Sequence, residues 1–182
     1  MEVYEIIKPI GSGTSGQVYL AKNKLEGKCY VIKKVKTRDM DEKEVDSTER
    51  EVKLLQKLRH PNIVGYKDSF VDREQYINIV MENYDGGELY TKSKNSYGKN
   101  FSEEQILDWF AQMSLAIHYL HERRILHRDL KSQNIFMKNT KIKVGDFGIS
   151  KVLDDTKDFA NTIIGTPYYI CLLYTSPSPR DS

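Results

Sequence analysis

From residue 3 to residue 35 short apolar runs alternate with clusters of turn-forming residues. Val3-Tyr4-Glu5-Ile6-Ile7 is β-branched and aromatic, Gln17-Val18-Tyr19-Leu20-Ala21 follows a group of glycines, and Cys29-Tyr30-Val31-Ile32 precedes Lys33-Lys34. Runs of this kind predict strand, turn, strand, turn, strand: an antiparallel meander. Over 47–59 the period becomes helical. Val52, Leu55 and Leu58 share one face, Ser47 is placed to cap the start, and His60-Pro61-Asn62 ends the run. Two more strand-like runs follow, Ile63-Val64-Gly65-Tyr66 and Tyr76-Ile77-Asn78-Ile79-Val80-Met81. The character changes at Asp85-Gly86-Gly87. Residues 91–100 are polar and basic and predict a solvated loop. Ser102-Glu103-Glu104-Gln105 is a capping box, and it opens the longest helix, with Ile106, Phe110, Met113, Ile117 and Leu120 on one stripe. Beyond that helix the chain is rich in loops. The pattern predicts a small β-rich lobe, a hinge near 82–87 and a helical lobe, with no internal repeat.

Composition narrows the class. The 182 residues are enough for a real core, and 39% hydrophobic with 30% charged residues suits a soluble globular chain. A net charge of +2 singles out neither nucleic acid nor a membrane surface as partner. No apolar run approaches the roughly 20 residues of a membrane span. Met1-Glu2-Val3-Tyr4 lacks the basic-then-apolar layout of a signal peptide. Cys29 and Cys171 have no metal-like spacing, which favours a reducing, intracellular setting.

Gly11-Ser12-Gly13-Thr14-Ser15-Gly16 fits G-x-G-x-x-G. A dinucleotide fold needs a helix after the last glycine, and here Gln17-Val18-Tyr19-Leu20 reads as a strand. A Walker loop needs Lys then Ser or Thr, and positions 17 and 18 are Gln and Val. What remains is a hairpin whose bare amides close over phosphates, or an ordinary Gly-Ser turn.

The rest of the chain decides between them. Lys33 lies on the strand after the hairpin, in reach of nucleotide phosphates, and Glu51 on the following helix can pair with it and fix its direction. His127-Arg128-Asp129-Leu130-Lys131-Ser132-Gln133-Asn134 and then Asp146-Phe147-Gly148 follow in the order and spacing of a phosphoryl-transfer site. Singly, each charge is best read as solvated surface; jointly, the set is not a chance occurrence. Asp129 is placed to accept the proton of an attacking hydroxyl. Asn134 and Asp146 offer the hard oxygens that suit Mg²⁺. Lys131 can neutralise the transferring phosphoryl group. Phe147, apolar beside a metal ligand, suits a packing switch.

Residues 4 to about 169 resemble a eukaryotic protein kinase domain and, more narrowly, the NIMA-related kinases. The resemblance rests on Ile125–Phe136, Gly145–Leu153, Gly165-Thr166-Pro167-Tyr168-Tyr169 and Gln105–Phe110. It implies an α+β fold of two lobes: an antiparallel β lobe with one helix and hinge (1–84), and a truncated, mainly helical lobe ending in the activation segment (85–170). It implies a Ser/Thr protein kinase using ATP and Mg²⁺, with Lys131 and Thr166 as the Ser/Thr-type residues. Gly11, Ser12, Gly13, Thr14, Ser15, Gly16, Val18, Val31, Lys33, Met81, Glu82, Tyr84, Glu88 and Phe136 would surround the nucleotide. Met81 matches the gatekeeper, Glu82, Asn83 and Tyr84 the adenine-contacting hinge, and Glu88 the ribose contact. Val31 stands where many kinases have Ala. Leu55, Tyr66, His127 and Phe147 match the stacked residues that link the lobes. Thr162 falls where the family is phosphorylated, with Arg128 to receive the phosphate. The implied partners are protein substrates, without nucleic acid or membrane insertion, and the implied setting is cytoplasmic, with cytoskeletal, centrosomal or ciliary partners. A pseudokinase-type nucleotide-binding scaffold would lack Lys33, Asp129, Asn134 or Asp146, and all four are present. A small-molecule phosphotransferase is disfavoured by Gly165–Tyr169.

After Tyr169 the family pattern stops. Cys171–Asp181 resembles a translated sequencing adapter, so residues 171–182 are expected to be non-native and residue 170 to be Ile or Met in the natural protein. Amplification of the transcript past Tyr169 checks this, and genomic coding for Cys171–Asp181 contradicts it. The chain as written is expected to leave apolar surface on the long helix exposed and to be inactive alone.

Overall fold

The structure, a computed structural model, describes residues 3–13, 16–96, 98–127, 129–146 and 151–152, and at Glu44, Ser47, Glu51, Lys151 and Val152 the backbone only. Thr14, Ser15, Arg128, Phe147, Thr162, the Gly165–Tyr169 segment and the tail 171–182 lie outside the described residues.

Five strands form one antiparallel sheet: β1 (Tyr4–Gly13), β2 (Gly16–Asn23), β3 (Cys29–Lys36), β4 (Tyr66–Val71) and β5 (Tyr76–Glu82), in the order β1-β2-β3-β5-β4. The predicted meander is β1-β2-β3, with each strand longer than its apolar run. Pro9 sits on β1, where its missing N–H costs little because β1 is an edge. The register there shifts between Ile6 and Lys8 and between Pro9 and Gly11.

Alternation along the strands builds two cores. Tyr30 and Ile32 of β3 and Val80 of β5 pack with Tyr4 and Ala21 on one face. Val35, Ile77 and Ile79 join the other face, where helix α1 (Glu42–Lys57) and the second lobe supply Val52, Leu55, Leu120, Ile125, Ile135 and Ile142. Each such side chain contributes about 1.5–3 kcal/mol on full burial.

Four expectations are corrected. Helix α1 begins at Glu42, not near Ser47, so Ser47 lies inside it and not at its start; Glu42-Lys43-Glu44 are good helix formers that extend it upstream. Ile63-Val64-Gly65 is not a strand. Ile63 makes one isolated bridge to Val144, and β4 begins at Tyr66 and runs through the polar Lys67-Asp68-Ser69. Leu89–Lys94 forms a short helix, α2, which runs into the stretch 91–100 expected to be a loop. In helix α3 (Glu103–Glu122) the Ser102 hydroxyl accepts from Gln105 N–H at 3.2 Å as expected, but the buried side chains are Trp109, Ala116 and Leu120. Met113 and Ile117 of the expected stripe pack on the core, whereas Ile106 and Phe110 are exposed. Trp109 is held by the edge of Phe101, with ring centroids 4.9 Å apart.

The second lobe continues with β6 (Ile125–Leu126), a 3₁₀ turn at Ser132–Asn134, and the hairpin β7 (Ile135–Lys138) and β8 (Lys141–Val144). β9 (Lys151–Val152) pairs with β6. The lobes join through the hinge after β5 and through a polar tie. Asn62, 5% exposed, donates to Gln112 Oε1 of α3 at 2.8 Å and to Ile142 O at 3.1 Å, and its carbonyl accepts from Val144 N–H at 2.8 Å. No helix among the described residues is long and apolar enough to cross a membrane.

Candidate active site

A cavity of about 560 Å³ opens between the sheet and the second lobe. Its roof comes from β1–β3, its back from β5 and the hinge, and its floor from the β7 hairpin and the segment before it. The fold brings to it Gly11, Ser12, Gly16, Val18, Val31, Lys33, Met81, Glu82, Tyr84, Glu88, Lys131, Asn134, Phe136 and Asp146, all expected from sequence. It adds Ile10, Val64, Ile79, Gly87 and Gln133, to which the sequence reading gave no site role. Ile10 could have been found as the apolar residue that ends a strand before the glycines; Val64 had no such signal.

Gly16 has φ +132°, and a Cβ there would sit 2.1 Å from Lys34 O. No other residue fits, because the hairpin folds back onto β3 at that point. On β3 the alternation sends Lys33 and Lys34 to opposite faces. Lys33 Nζ enters the cleft and pairs with Asp146 Oδ1 at 2.9 Å. Lys34 Nζ pairs with Asp72 at 3.1 Å on the other face. The expected partner of Lys33 was Glu51. Its backbone lies on α1, but its side chain is outside the described atoms, so the pairing seen is with Asp146.

Asp129 does not line the cavity but is tied to residues that do. Asn134, 4% exposed, donates through Nδ2 to Asp129 O at 2.8 Å and to Asp129 Oδ2 at 3.0 Å. Lys131 Nζ lies 2.7 Å from the same Oδ2. Beneath them His127, 4% exposed, accepts from Asp129 N–H at Nδ1 (3.3 Å), which leaves Nε2–H to donate to Gly145 O at 3.0 Å. Burial holds its pKa below the ordinary histidine value, so the ring is neutral and one buried imidazole joins the two motif segments. Gly145 N–H donates to Asn134 O at 2.9 Å, closing the loop between them.

Asp146 has φ +57°, an unusual conformation for a residue with a side chain and one that Asp tolerates better than most. Glu88, half-buried at the cleft edge, has its carboxyl pushed up by burial. Leu55 belongs to the main core, Tyr66 packs against it and His127 is buried, while Phe147 is outside the described residues.

The profile of the protein kinase domain matches residues 4–171. The chain is 46% identical over 168 residues to the serine/threonine-protein kinase Nek4 of Mus musculus, covering 92% of this chain and 21% of that protein. It is 47% identical over 172 residues to Nek5 of Homo sapiens, covering 93% and 24%. It is 43% identical over 176 residues to the probable serine/threonine-protein kinase nek3 of Dictyostelium discoideum, covering 93% and 16%. The chain thus spans about a quarter or less of the length of these relatives. With the cleft, the catalytic-type loop and these similarities together, the chain belongs to the protein kinase domain family, as a domain of the NIMA-related serine/threonine type.

Proposed function

We propose that the cleft binds ATP with Mg²⁺ and that the whole protein transfers the γ-phosphoryl group to Ser or Thr hydroxyls of protein substrates. One observation carries this reading: Asn134 lines the cavity together with Lys33 and Asp146, and the same side chain holds Asp129. The group that would bind nucleotide and the group that would take the proton are therefore one connected unit.

The residues suit each step. The glycine hairpin and Lys33 face the phosphates; Met81, Val18, Val31 and Phe136 give apolar walls for the base; Glu88 stands at the ribose. The hydroxyl oxygen of the substrate attacks the γ-phosphorus, the bond to the β-phosphate oxygen breaks, and ADP leaves. Asp129 accepts the hydroxyl proton, and Lys131 beside it offsets charge on the phosphoryl group. Asn134 and Asp146 both line the cleft and offer it hard oxygens. That suits Mg²⁺, which needs one or two protein oxygens and completes its shell from water and phosphates. The bound ion would neutralise phosphate charge. Glu51 of α1 is the partner proposed for Lys33 when Asp146 is engaged by the ion. A cytoplasmic setting with cytoskeletal, centrosomal or ciliary partners rests on the family resemblance.

The test is phosphate transfer by the full-length protein from labelled Mg–ATP to a mixed protein substrate, followed by acid hydrolysis. Phosphoserine and phosphothreonine are expected. Phosphotyrosine alone, or no protein-bound phosphate, contradicts the reading.

A further inference from the structure

Glu82 and Tyr84 line the cleft, yet their side chains are tied to each other and, through the Tyr84 hydroxyl, to Gly65. The Tyr84 hydroxyl donates to Glu82 Oε2 at 2.7 Å and accepts from Gly65 N–H at 3.1 Å. Glu82 N–H donates to Gly65 O at 2.9 Å, so a single glycine holds both hinge residues. Tyr84 is 8% exposed. Burial first, and the Glu82 carboxylate second, push its hydroxyl far above the usual phenol range, so it stays a neutral donor. A Cβ on residue 65 would sit 2.7 Å from Glu82 Cδ, so the carboxyl group occupies space that only glycine leaves. From the second lobe, Lys143 of β8 places its ammonium 5.5 Å from the centre of the Tyr84 ring, within cation–π range. Three segments distant in sequence converge on one phenol.

We propose that Gly65, Glu82, Tyr84 and Lys143 form a clamp that holds the hinge main chain in the shape adenine requires. The proposal rests on the reading of the cleft as an ATP site. With the Tyr84 hydroxyl bonded to Gly65 N–H and the Glu82 carboxylate bonded to that hydroxyl, what Glu82 and Tyr84 offer the cleft is main chain. Main-chain donors and acceptors select a flat heterocycle only when their spacing is fixed. Fixing it before binding removes an ordering cost from the affinity. Without the hydroxyl, the Gly65 N–H loses its acceptor, the Glu82 carboxylate loses its donor, and the hinge can adopt other shapes.

Tyr84→Phe tests the hydroxyl alone, since it keeps the ring, its burial and its contact with Lys143. Calorimetric titration of the full-length protein should show ATP and adenosine both bound about 5- to 10-fold more weakly, as for loss of one buried hydrogen bond. The equal factor follows because the clamp acts on the base and not on the phosphates. KM for ATP should rise by a similar factor, with kcat within about twofold. Gly65→Ala, which leaves Tyr84 intact and displaces the Glu82 carboxyl, should move both affinities in the same direction. General destabilisation would instead lower kcat through loss of folded protein and leave the affinities of the remainder unchanged; that result overturns the clamp. If the unaltered protein binds ATP and both variants bind it equally or more tightly, the clamp alone is overturned. If the unaltered protein binds no ATP, the reading of the cleft and the clamp fall together.

Discussion

His127 shows how much of the site depends on one neutral side chain. It accepts from Asp129 N–H and donates to Gly145 O, and it can do both only as the Nε2–H tautomer. Protonation would turn the acceptor at Nδ1 into a donor facing a donor. Burial already holds the folded-state pKa below the ordinary 6.5. The unfolded chain therefore takes up a proton below about pH 6.5 that the folded chain refuses. Stability is intact above that value and is lost progressively as pH falls from 6.5 toward the lowered folded-state value. His60, lowered mainly by its own burial, adds a contribution of the same sign. Urea unfolding midpoints should thus fall between about pH 7.5 and about pH 5.5. His127→Gln should flatten the slope in part, with His60 supplying the remainder. An unchanged slope in that variant contradicts the role given to His127.

At the scale of elements, the strands and helices that were legible are those whose apolar spacing and packing agree. β1–β3 and β5 were, because Tyr30, Ile32 and Val80 alternate against a core on one face while Ile77, Ile79 and Val35 meet another. β4 was not: Lys67, Asp68 and Ser69 occupy an edge strand, where a polar sequence is tolerated and the apolar signal is weak. α2 has six residues and no buried side chain, so it leaves no periodic trace. α3 carries two overlapping apolar stripes, one through Ile106 and Phe110 and one through Trp109 and Ala116. They merge at Met113 and Leu120, and the contact of Trp109 with Phe101 decides which is buried. Leu120, at 0% exposed, is where both stripes agree. Leu120→Ala should cost about 2–5 kcal/mol, read from denaturant unfolding, by leaving a cavity beneath β8. A loss below about 1 kcal/mol would mean that α3 does not seat as described.

On the scale of the whole molecule, the cleft exists because the sheet and the second lobe share one apolar core while their polar edges stay apart. Lys33 from β3 and Asp146 from the segment after β8 meet across that gap, 113 residues apart in sequence. The chemistry was legible because its parts lie in short contiguous motifs, Gly11–Gly16 and His127–Asn134. The tie between Gly65 and Tyr84 was not, because Gly65 carries no motif and only folding brings it beside the hinge. The first partner expected for Lys33, Glu51, came from spacing along the chain, and the contact seen is the one with Asp146. Asp129, held by Asn134 and Lys131, is the residue we propose to take the proton during transfer. The most direct test of this role is Asp129→Asn in the full-length protein, with ATP affinity and the rate of phosphate transfer measured on the same sample. ATP affinity should stay close to that of the unaltered protein while the transfer rate falls by about 10² to 10⁴-fold; transfer at the unaltered rate would show that Asp129 is not the base.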